Sequence, residues 1–395
     1  MKTMLSLRRP RQVARASIFL VVVALMVGMI SCGQSTPVEE AVTFPDPNLE
    51  AAIREAIGKP EGLIYPSELD DLTYLDASGA WGRSIADITG LEYCTSLTEL
   101  YLSENQIGDI SPLTNLTSLT SLNLGYNQLS DISPLTNLAS LTWLFLEGNQ
   151  IGDISPVANL TNLTKLYLGG NEISDISPVV SLTSLTFLGL GHNEVTDISP
   201  VADLTSLTSL TLRGNEISDI SPVANLTSLT GLSLNYNQIG DVSPVAKLTS
   251  LASLDLAYNQ ISDVSPLSNL TRLTALGLGG NEIIDISPLG NLTGLANLLL
   301  EHNQISDISP VANLTSLTSL YLNDNQISDI SPLSNLAGLA WLYLDSNQVS
   351  DISPLVKNEG LSEGAHVYLV ENPLSTDSIN IYIPELEARG VYVAY

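Results

Sequence analysis

Histidines and neighbouring acids are the residues with which this sequence could do acid-base or metal chemistry. His302 has Glu301 beside it and Asp324 further along the chain, a set that could transfer protons or ligate a metal. No phosphate-binding loop, nucleophile elbow or zinc-ligand spacing occurs in the sequence. We therefore predict that the chain is not an enzyme and has no catalytic residue, cofactor or metal; a hydrolase that uses His302 is the alternative.

Acids also recur at a fixed interval. The twelve aspartates of the D-[IV]-S-P motif, from Asp109 to Asp351, each stand next to Ile or Val and Ser, so we expect every carboxylate to accept N–H groups within its own turn. Glu172, Glu194 and Glu216 recur at the same interval. On stacked coils they would lie about 4.8 Å apart. A solvated acidic strip is our interpretation, with a bridging cation as the alternative.

The elements that position these residues follow from a repeat. From Leu97 to Gly360 the sequence contains twelve uninterrupted 22-residue units of the form L-T-x-L-x-L-x-x-N-[QE]-I-x-D-[IV]-S-P-[LV]-x-x-L-T-S. Equal units stack as coils of one solenoid. The x-L-x-L-x segment alternates as a strand does, and the buried Asn can satisfy backbone groups from coil to coil. Because Ser suits an N-cap and Pro the first helical position, short 3₁₀ turns should follow.

The predicted fold is an α/β-type repeat solenoid, a leucine-rich-repeat horseshoe with a parallel β-sheet on its concave face and 3₁₀ turns on its convex face. Caps must cover the apolar ends. Residues 44–71 form a helical cap in which Asp46 is the N-cap and Gly58 ends the helix. Residues 72–96 are an irregular first repeat with extra residues around 79–82, in which Cys94 replaces a core leucine. Residues 97–360 are the regular repeats. Residues 361–395 contain the last repeat strand, a helical piece near 384–389 and a final strand.

The N-terminus has the layout of an export signal. Five basic residues and no acid precede an apolar run from Ile18 to Ile30, which is too short to span a bilayer. The sequence around Met29-Ile30-Ser31-Cys32 resembles a bacterial lipoprotein cleavage box, which implies residues 1–32 as signal peptide and Cys32 as the lipidated residue. Residues 33–43 would be a polar tether. We predict an exported protein that a lipid holds on a bacterial membrane, at the cell surface or the periplasmic face.

The charge is strongly negative. All 42 acids and nine of the 14 bases lie after Cys32, which gives 9 minus 42, or about −33, for the processed chain. Such a field repels nucleic acid and anionic lipid headgroups. We expect a monomer with no nucleic-acid partner that meets the membrane only through its N-terminal lipid.

The repeat unit N-x-I-S-D-I-S-P-L-x-N-L-T-x-L resembles the 22-residue repeats of the bacterial internalins, from Ile85 to Asn372. Internalin-type proteins bind a protein partner through the concave sheet, and this role is what the resemblance implies. The usual immunoglobulin-like neighbour and cell-wall sorting signal do not follow the last cap in this sequence, so host-cell invasion is not part of the expectation.

Outward strand positions predict where a partner binds. Counted from the first leucine of each unit, positions three and five contain two groups of aromatic residues with a bare stretch between them. The first group is Trp143, Phe145, Tyr167 and Phe187, together with Lys165. The second is Tyr321, Trp341 and Tyr343, with His366 and Tyr368 as an extension. Exposed aromatics are common anchors of protein interfaces, although they also simply favour strands. We predict a recognition module for a protein ligand, with carbohydrate binding or a passive envelope spacer as alternatives.

Overall fold

The computed structural model describes residues 39–79 and 84–395. The predicted signal peptide, the lipidation site Cys32 and most of the predicted tether lie outside the described residues, as do residues 80–83 of the irregular repeat. The chain divides into two compact units, Met1–Ala41 and Val42–Tyr395. Residues 39–41 of the first unit are exposed and contain no helix or strand. All helices and strands of the described residues lie in the second unit.

One parallel sheet runs through the second unit. Within the described residues it has fifteen three-residue strands in sequence order, and each strand pairs with the next along the chain. The strands are β1 (Tyr74–Asp76), β2 (Glu99–Tyr101), β3 (Ser121–Asn123), β4 (Trp143–Phe145), β5 (Lys165–Tyr167), β6 (Phe187–Gly189), β7 (Ser209–Thr211), β8 (Gly231–Ser233), β9 (Ser253–Asp255), β10 (Ala275–Gly277), β11 (Asn297–Leu299), β12 (Ser319–Tyr321), β13 (Trp341–Tyr343), β14 (His366–Tyr368) and β15 (Tyr392–Ala394). From β2 to β13 each strand is displaced from the next by one repeat unit, so equivalent positions of successive units lie side by side.

Each coil contributes a constant set of apolar side chains to the core. In the unit that begins at Leu141, seven side chains are at most 1% exposed: Leu141, Leu144, Leu146, Ile151, Ile154, Val157 and Leu160. The middle residue of every strand points inward, and its neighbours on both sides point outward. Because each coil buries its leucines against the next, one continuous hydrophobic core fills the solenoid.

The repeated asparagine of each coil lies buried where the chain leaves the strand. The Oδ1 atom of Asn215 accepts the N–H of Val195 at 3.0 Å, and its Nδ2 donates to the carbonyls of Leu190 at 3.0 Å and Leu212 at 2.9 Å. Val195 and Leu190 belong to the preceding coil. The same pattern recurs from Asn105 to Asn372, which confirms the predicted coil-to-coil pairing.

Short 3₁₀ turns form the side opposite the sheet, as predicted, but Ser is not their N-cap. In the turn that begins at Ser221, Asp219 Oδ1 accepts the Ser221 N–H at 2.8 Å and Asp219 Oδ2 accepts the Ser221 hydroxyl at 3.0 Å. The serine hydroxyl is thus a donor to the aspartate, and Ser and Pro occupy the first two positions of the turn. The aspartate therefore satisfies the free N–H at the start of the turn, because its two oxygens reach both groups of the serine.

The 3₁₀ turns have the following bounds: Pro66–Glu68, Leu91–Tyr93, Ser111–Leu113, Ser133–Asn137, Ser155–Asn159, Ser177–Ser181, Ser199–Val201, Ser221–Asn225, Ser243–Lys247, Ser265–Leu267, Ser287–Asn291, Ser309–Asn313 and Ser331–Asn335. The last unit departs from the expected pattern, since its turn is a five-residue α-helix. This helix packs against the 3₁₀ turn Ser331–Asn335 on one side and against the C-terminal helical segments on the other, so it lacks the second 3₁₀ neighbour that a regular coil has.

Caps close both ends of the core. Helix α1 (Pro47–Ile57) begins at Asp46, whose carboxylate accepts the N–H groups of Asn48 and Leu49, and ends at Gly58 with φ 66°. At the other end lie α2 (Ser353–Lys357), a π-helical segment (Ser378–Tyr382) that leads directly into α3 (Ile383–Ala388), and then β15. None of the helices in the described part of the chain combines the length and apolar character that crossing a bilayer requires.

Candidate functional site

The sheet face is the surface formed by the outward side chains of the strands and the residues that follow them. Position three lies at the start of each strand and position five at its end, so each position forms a column across the sheet. The aromatic residues predicted from the sequence all lie in these two columns. Most are half-buried by their neighbours, whereas Trp143 is 41% and Trp341 39% exposed.

The first aromatic patch, defined as Trp143, Phe145, Lys165, Tyr167 and Phe187, is continuous. The rings of Phe145 and Tyr167 stack at 4.2 Å between centroids, and those of Tyr167 and Phe187 at 4.3 Å. Trp143 contacts Phe145 in a tilted arrangement at 6.2 Å. Lys165 Nζ lies 4.1 Å from the centroid of Trp143 and places a cation on this apolar surface. The structure thus brings all five predicted residues together across β4, β5 and β6.

The second aromatic patch combines the predicted residues with part of the C-terminal cap. Tyr321, Tyr343 and Tyr368 stack in a row at 4.3 and 4.4 Å. Trp341 stacks on His366 at 4.2 Å with an interplanar angle of 4°. Tyr392 of β15 touches the rings of both His366 and Tyr368 at the edge of the sheet. Tyr392 was not among the predicted residues, because the final strand does not belong to the repeat.

A third column of the sheet face, formed by the residues at position eight, was also absent from the predicted binding surface. The residue at position eight bends the chain away from the strand with a positive φ in every regular coil, between 52° and 66°. Glycine favours this backbone conformation, and its recurrence at 148, 170, 214 and 280 was the signal available in the sequence. Where the residue is not glycine, its side chain extends over the next coil. Tyr236 and Tyr258 occupy this column, 45% and 39% exposed, and stack at 4.4 Å.

Two cavities open on the sheet face among the described residues. The first, of about 400 Å³, lies beside the first aromatic patch and is lined by Tyr126, Phe187, His192 and Arg213 above a floor of glycines. The second, of about 330 Å³, lies between the two aromatic patches. The stretch that looked bare in columns three and five is therefore a recess, because small side chains there leave room above the sheet.

The central cavity, defined as the second of these, is acidic. Asp255 and Glu301 line it together with Tyr236, Tyr258 and Arg213. Burial raises the pKa of Asp255, although the Ala257 N–H and the Arg213 guanidinium act in the opposite direction. Burial also raises the pKa of Glu301. Glu301 Oε2 is inaccessible to solvent and has no hydrogen-bond partner, so this cavity holds partly desolvated negative charge.

The residues considered for catalysis do not form a compact centre. His302 Nδ1 lies 3.3 Å from Asp324 Oδ2, and both side chains are about half exposed. Glu301 instead extends over Gly279 of the preceding coil. Glu172, Glu194 and Glu216 are exposed. No group of three histidine, cysteine or acidic residues among those the structure describes is arranged to hold a metal ion.

These features define a class: a leucine-rich-repeat solenoid whose sheet face carries aromatic surfaces and recesses. The family described as "Leucine Rich repeats (2 copies)" matches residues 95–137, 139–181, 183–225, 227–269, 249–291 and 293–335. An internalin from Listeria monocytogenes is 44% identical, with a TM-score of 0.78, over 80% of this chain and 94% of its own. The chain therefore belongs to the leucine-rich-repeat family and is an internalin-like protein, which confirms the predicted fold and resemblance.

More distant structures share the fold. A leucine-rich-repeat protein from Leptospira interrogans is 23% identical, with a TM-score of 0.68, over 84% of this chain and 97% of its own. The functional domain of internalin J from Listeria monocytogenes, which includes a cysteine ladder, is 23% identical with a TM-score of 0.63, over 83% and 82%. A comparison with curated proteins gave no match.

The family also indicates a general role. Proteins of the internalin type are generally protein-binding modules, and their fold is typically a non-enzymatic scaffold. Internalin-like proteins are surface or secreted proteins.

Proposed function

We propose that this protein is a membrane-anchored, extracytoplasmic recognition module that binds a protein ligand across its sheet face. The two aromatic patches are the contact surfaces. The observation that carries the proposal is the continuous stacking of Phe145, Tyr167 and Phe187 beside a half-exposed Trp143. Stacked rings lose little side-chain entropy on binding and still present a large apolar area, which makes them effective anchors.

If the aromatic side chains only shielded the sheet, their stacking would be explained, but the exposure of the two indole rings would not. Trp143 and Trp341 both lie in column three, with 41% and 39% of their surfaces open to solvent. Lys165 gives the first patch a positive charge in a strongly acidic protein. A partner with apolar side chains and a nearby acid fits this patch better than an uncharged sugar, so carbohydrate binding is the alternative outcome of the test.

The test is capture of a partner from the native envelope and from neighbouring cells, with the unit Val42–Tyr395 as bait. A variant with alanine at Trp143, Phe145, Trp341 and Tyr343 should lose capture and keep its melting temperature within a few degrees. A control variant, Tyr93→Ala with Tyr395→Ala, removes exposed aromatics away from the patches and should capture normally. Retained capture by the fourfold variant contradicts the proposal and supports a passive spacer. Elution by free sugars would indicate a carbohydrate ligand.

The anchor is a separate part of the proposal, supported by the sequence around Cys32. Metabolic labelling with a radioactive fatty acid should mark the wild type and not Cys32→Ser. Release of Cys32→Ser into the soluble fraction is the expected consequence. An unlabelled wild-type protein would contradict lipidation without affecting the binding proposal.

A further inference from the structure

We propose that the central cavity receives a basic side chain, lysine or arginine, of the protein ligand. The inference rests on the proposed function, because it names what the ligand places between the two aromatic patches. A peptide probe and variants outside those patches test it, so this inference and the proposed function can fail separately.

The cavity has carboxylates on both sides of one coil. Asp255 comes from β9 and Glu301 from the residues after β11, while Ala275, Gly277 and Gly279 belong to the coil between them. A Cβ atom on Gly277 would lie 2.6 Å from Asp255 Oδ1, and one on Gly279 would collide with the Glu301 carboxylate. The two glycines thus give both carboxylates room to lean inward over the middle coil.

The two carboxylates share one cation in the lining, Arg213, which attracts Asp255 without forming a salt bridge to it. Within the described residues, Asp255 and Glu301 take part in no salt bridge, and Asp255 accepts one backbone N–H, that of Ala257, at 3.1 Å. Glu301 Oε2 is buried without a partner. The cation of the lining, Arg213, lies over the ring of Tyr236 at 5.1 Å. The cavity therefore holds two partly desolvated carboxylates and one arginine, so the lining lacks a second positive charge.

Binding of a partner makes this imbalance larger. The first patch lies on β4 to β6 and the second on β12 to β15, so a ligand that contacts both must pass over β9 to β11. Such a ligand excludes water from Asp255 and Glu301, and an unpaired buried charge is strongly unfavourable. A basic group supplied by the ligand offsets this cost and adds charge-assisted hydrogen bonds.

The rim favours an organic cation over a metal ion. Tyr236 and Tyr258 stack at 4.4 Å beside the carboxylates, so they can contact the alkyl chain of a lysine or arginine and attract its charge. A calcium ion takes six to eight oxygen ligands, whereas the cavity lining contains two carboxylates.

The experiment measures binding of a trilysine peptide and of its fully ε-acetylated twin to the whole protein by calorimetry at low ionic strength. Wild type should bind trilysine and not the acetylated peptide. The variant Asp255→Asn with Glu301→Gln should lose about tenfold or more in affinity, which corresponds to at least one charge-assisted bond. The matched variant Glu194→Gln with Glu216→Gln removes the same two charges from the exposed strip outside the cavity, and should keep wild-type affinity.

Three results would overturn the inference. Equal losses in both charge variants would mean that the general negative field of the protein attracts the peptide. Equal binding of the acetylated peptide would remove the role of the cation, and stoichiometric displacement of trilysine by calcium would identify a metal site. The fourfold aromatic variant should still bind trilysine, so loss of partner capture in that variant tests the proposed function alone.

Discussion

Asn215 Nδ2 donates a hydrogen bond of 3.0 Å to the carbonyl oxygen of Leu190, a residue of the preceding coil. The same amide nitrogen also donates to Leu212 of its own coil, so a single side chain ties two turns of the solenoid together. Because apolar packing between coils is not directional, this polar ladder contributes to the register in which the strands align.

Replacement of Asn215 by leucine should destabilise the protein by about 1 to 3 kcal/mol. It leaves the Val195 N–H buried without a partner and removes one of the two amide donors from each of the carbonyls of Leu190 and Leu212. The measurement is the free energy of unfolding in urea. Asn297→Leu is the matched control, because Asn297 is exposed on the sheet face. A loss for Asn215→Leu no larger than that of the control would refute the structural account of the asparagine ladder.

The aspartates of the 3₁₀ turns should make stability depend on acid pH. The backbone N–H of the following serine lowers the pKa of Asp131, Asp175, Asp263 and Asp285. A lowered folded-state pKa contributes stability above the ordinary value of 3.8, and this contribution is lost as the pH falls further. A variant with asparagine at all four positions should melt below wild type at neutral pH and approach it under acid conditions. A gap that is independent of pH would contradict this.

The central cavity should cost the protein stability. Burial raises the pKa of Asp255 and Glu301, so their ionised forms disfavour the folded state at neutral pH. Asp255→Asn with Glu301→Gln should therefore raise the melting temperature at neutral pH. The gain should shrink as the pH falls toward the ordinary values of the two acids, where wild type becomes protonated. A melting temperature below that of wild type at neutral pH would show that these carboxylates stabilise the fold.

The Cys94 thiol should be unreactive in the folded protein. Burial raises the pKa of its thiol to about 12, and its side chain is inaccessible to solvent. In the unit Val42–Tyr395, which has no other cysteine, a thiol-reactive disulfide reagent should therefore react only in step with unfolding. Labelling before the unfolding transition in denaturant would show that the irregular first repeat opens by itself.

The sequence by itself determined the solenoid and most of its contacts. In a repeat without insertions or deletions, equivalent leucines, asparagines and aspartates of successive units must stack on one another. The type of each side chain then predicts its role: leucines fill the core, asparagines pair with backbone groups between coils, and aspartates accept N–H groups within their own turns. It also identified both aromatic patches, because columns three and five can be read directly from the period. The prediction that serine is the N-cap was wrong. Both Ser and Asp often accept free N–H groups at the start of a helical turn, and only the geometry of the turn shows that the aspartate accepts the N–H and the hydroxyl of the serine.

Only the tertiary structure determined the surface between the two aromatic patches. Tyr236 and Tyr258 meet because position eight takes a left-handed conformation that extends its side chain over the next coil. Asp255 and Glu301 share a cavity because Gly277 and Gly279 leave the middle coil bare. These two acids lie two coils apart in columns five and seven, so no single column of the repeat contains both. The physical reason is that the recess forms where small side chains of one coil lie beside larger side chains of the adjacent coils. This combination is not a property of any single repeat.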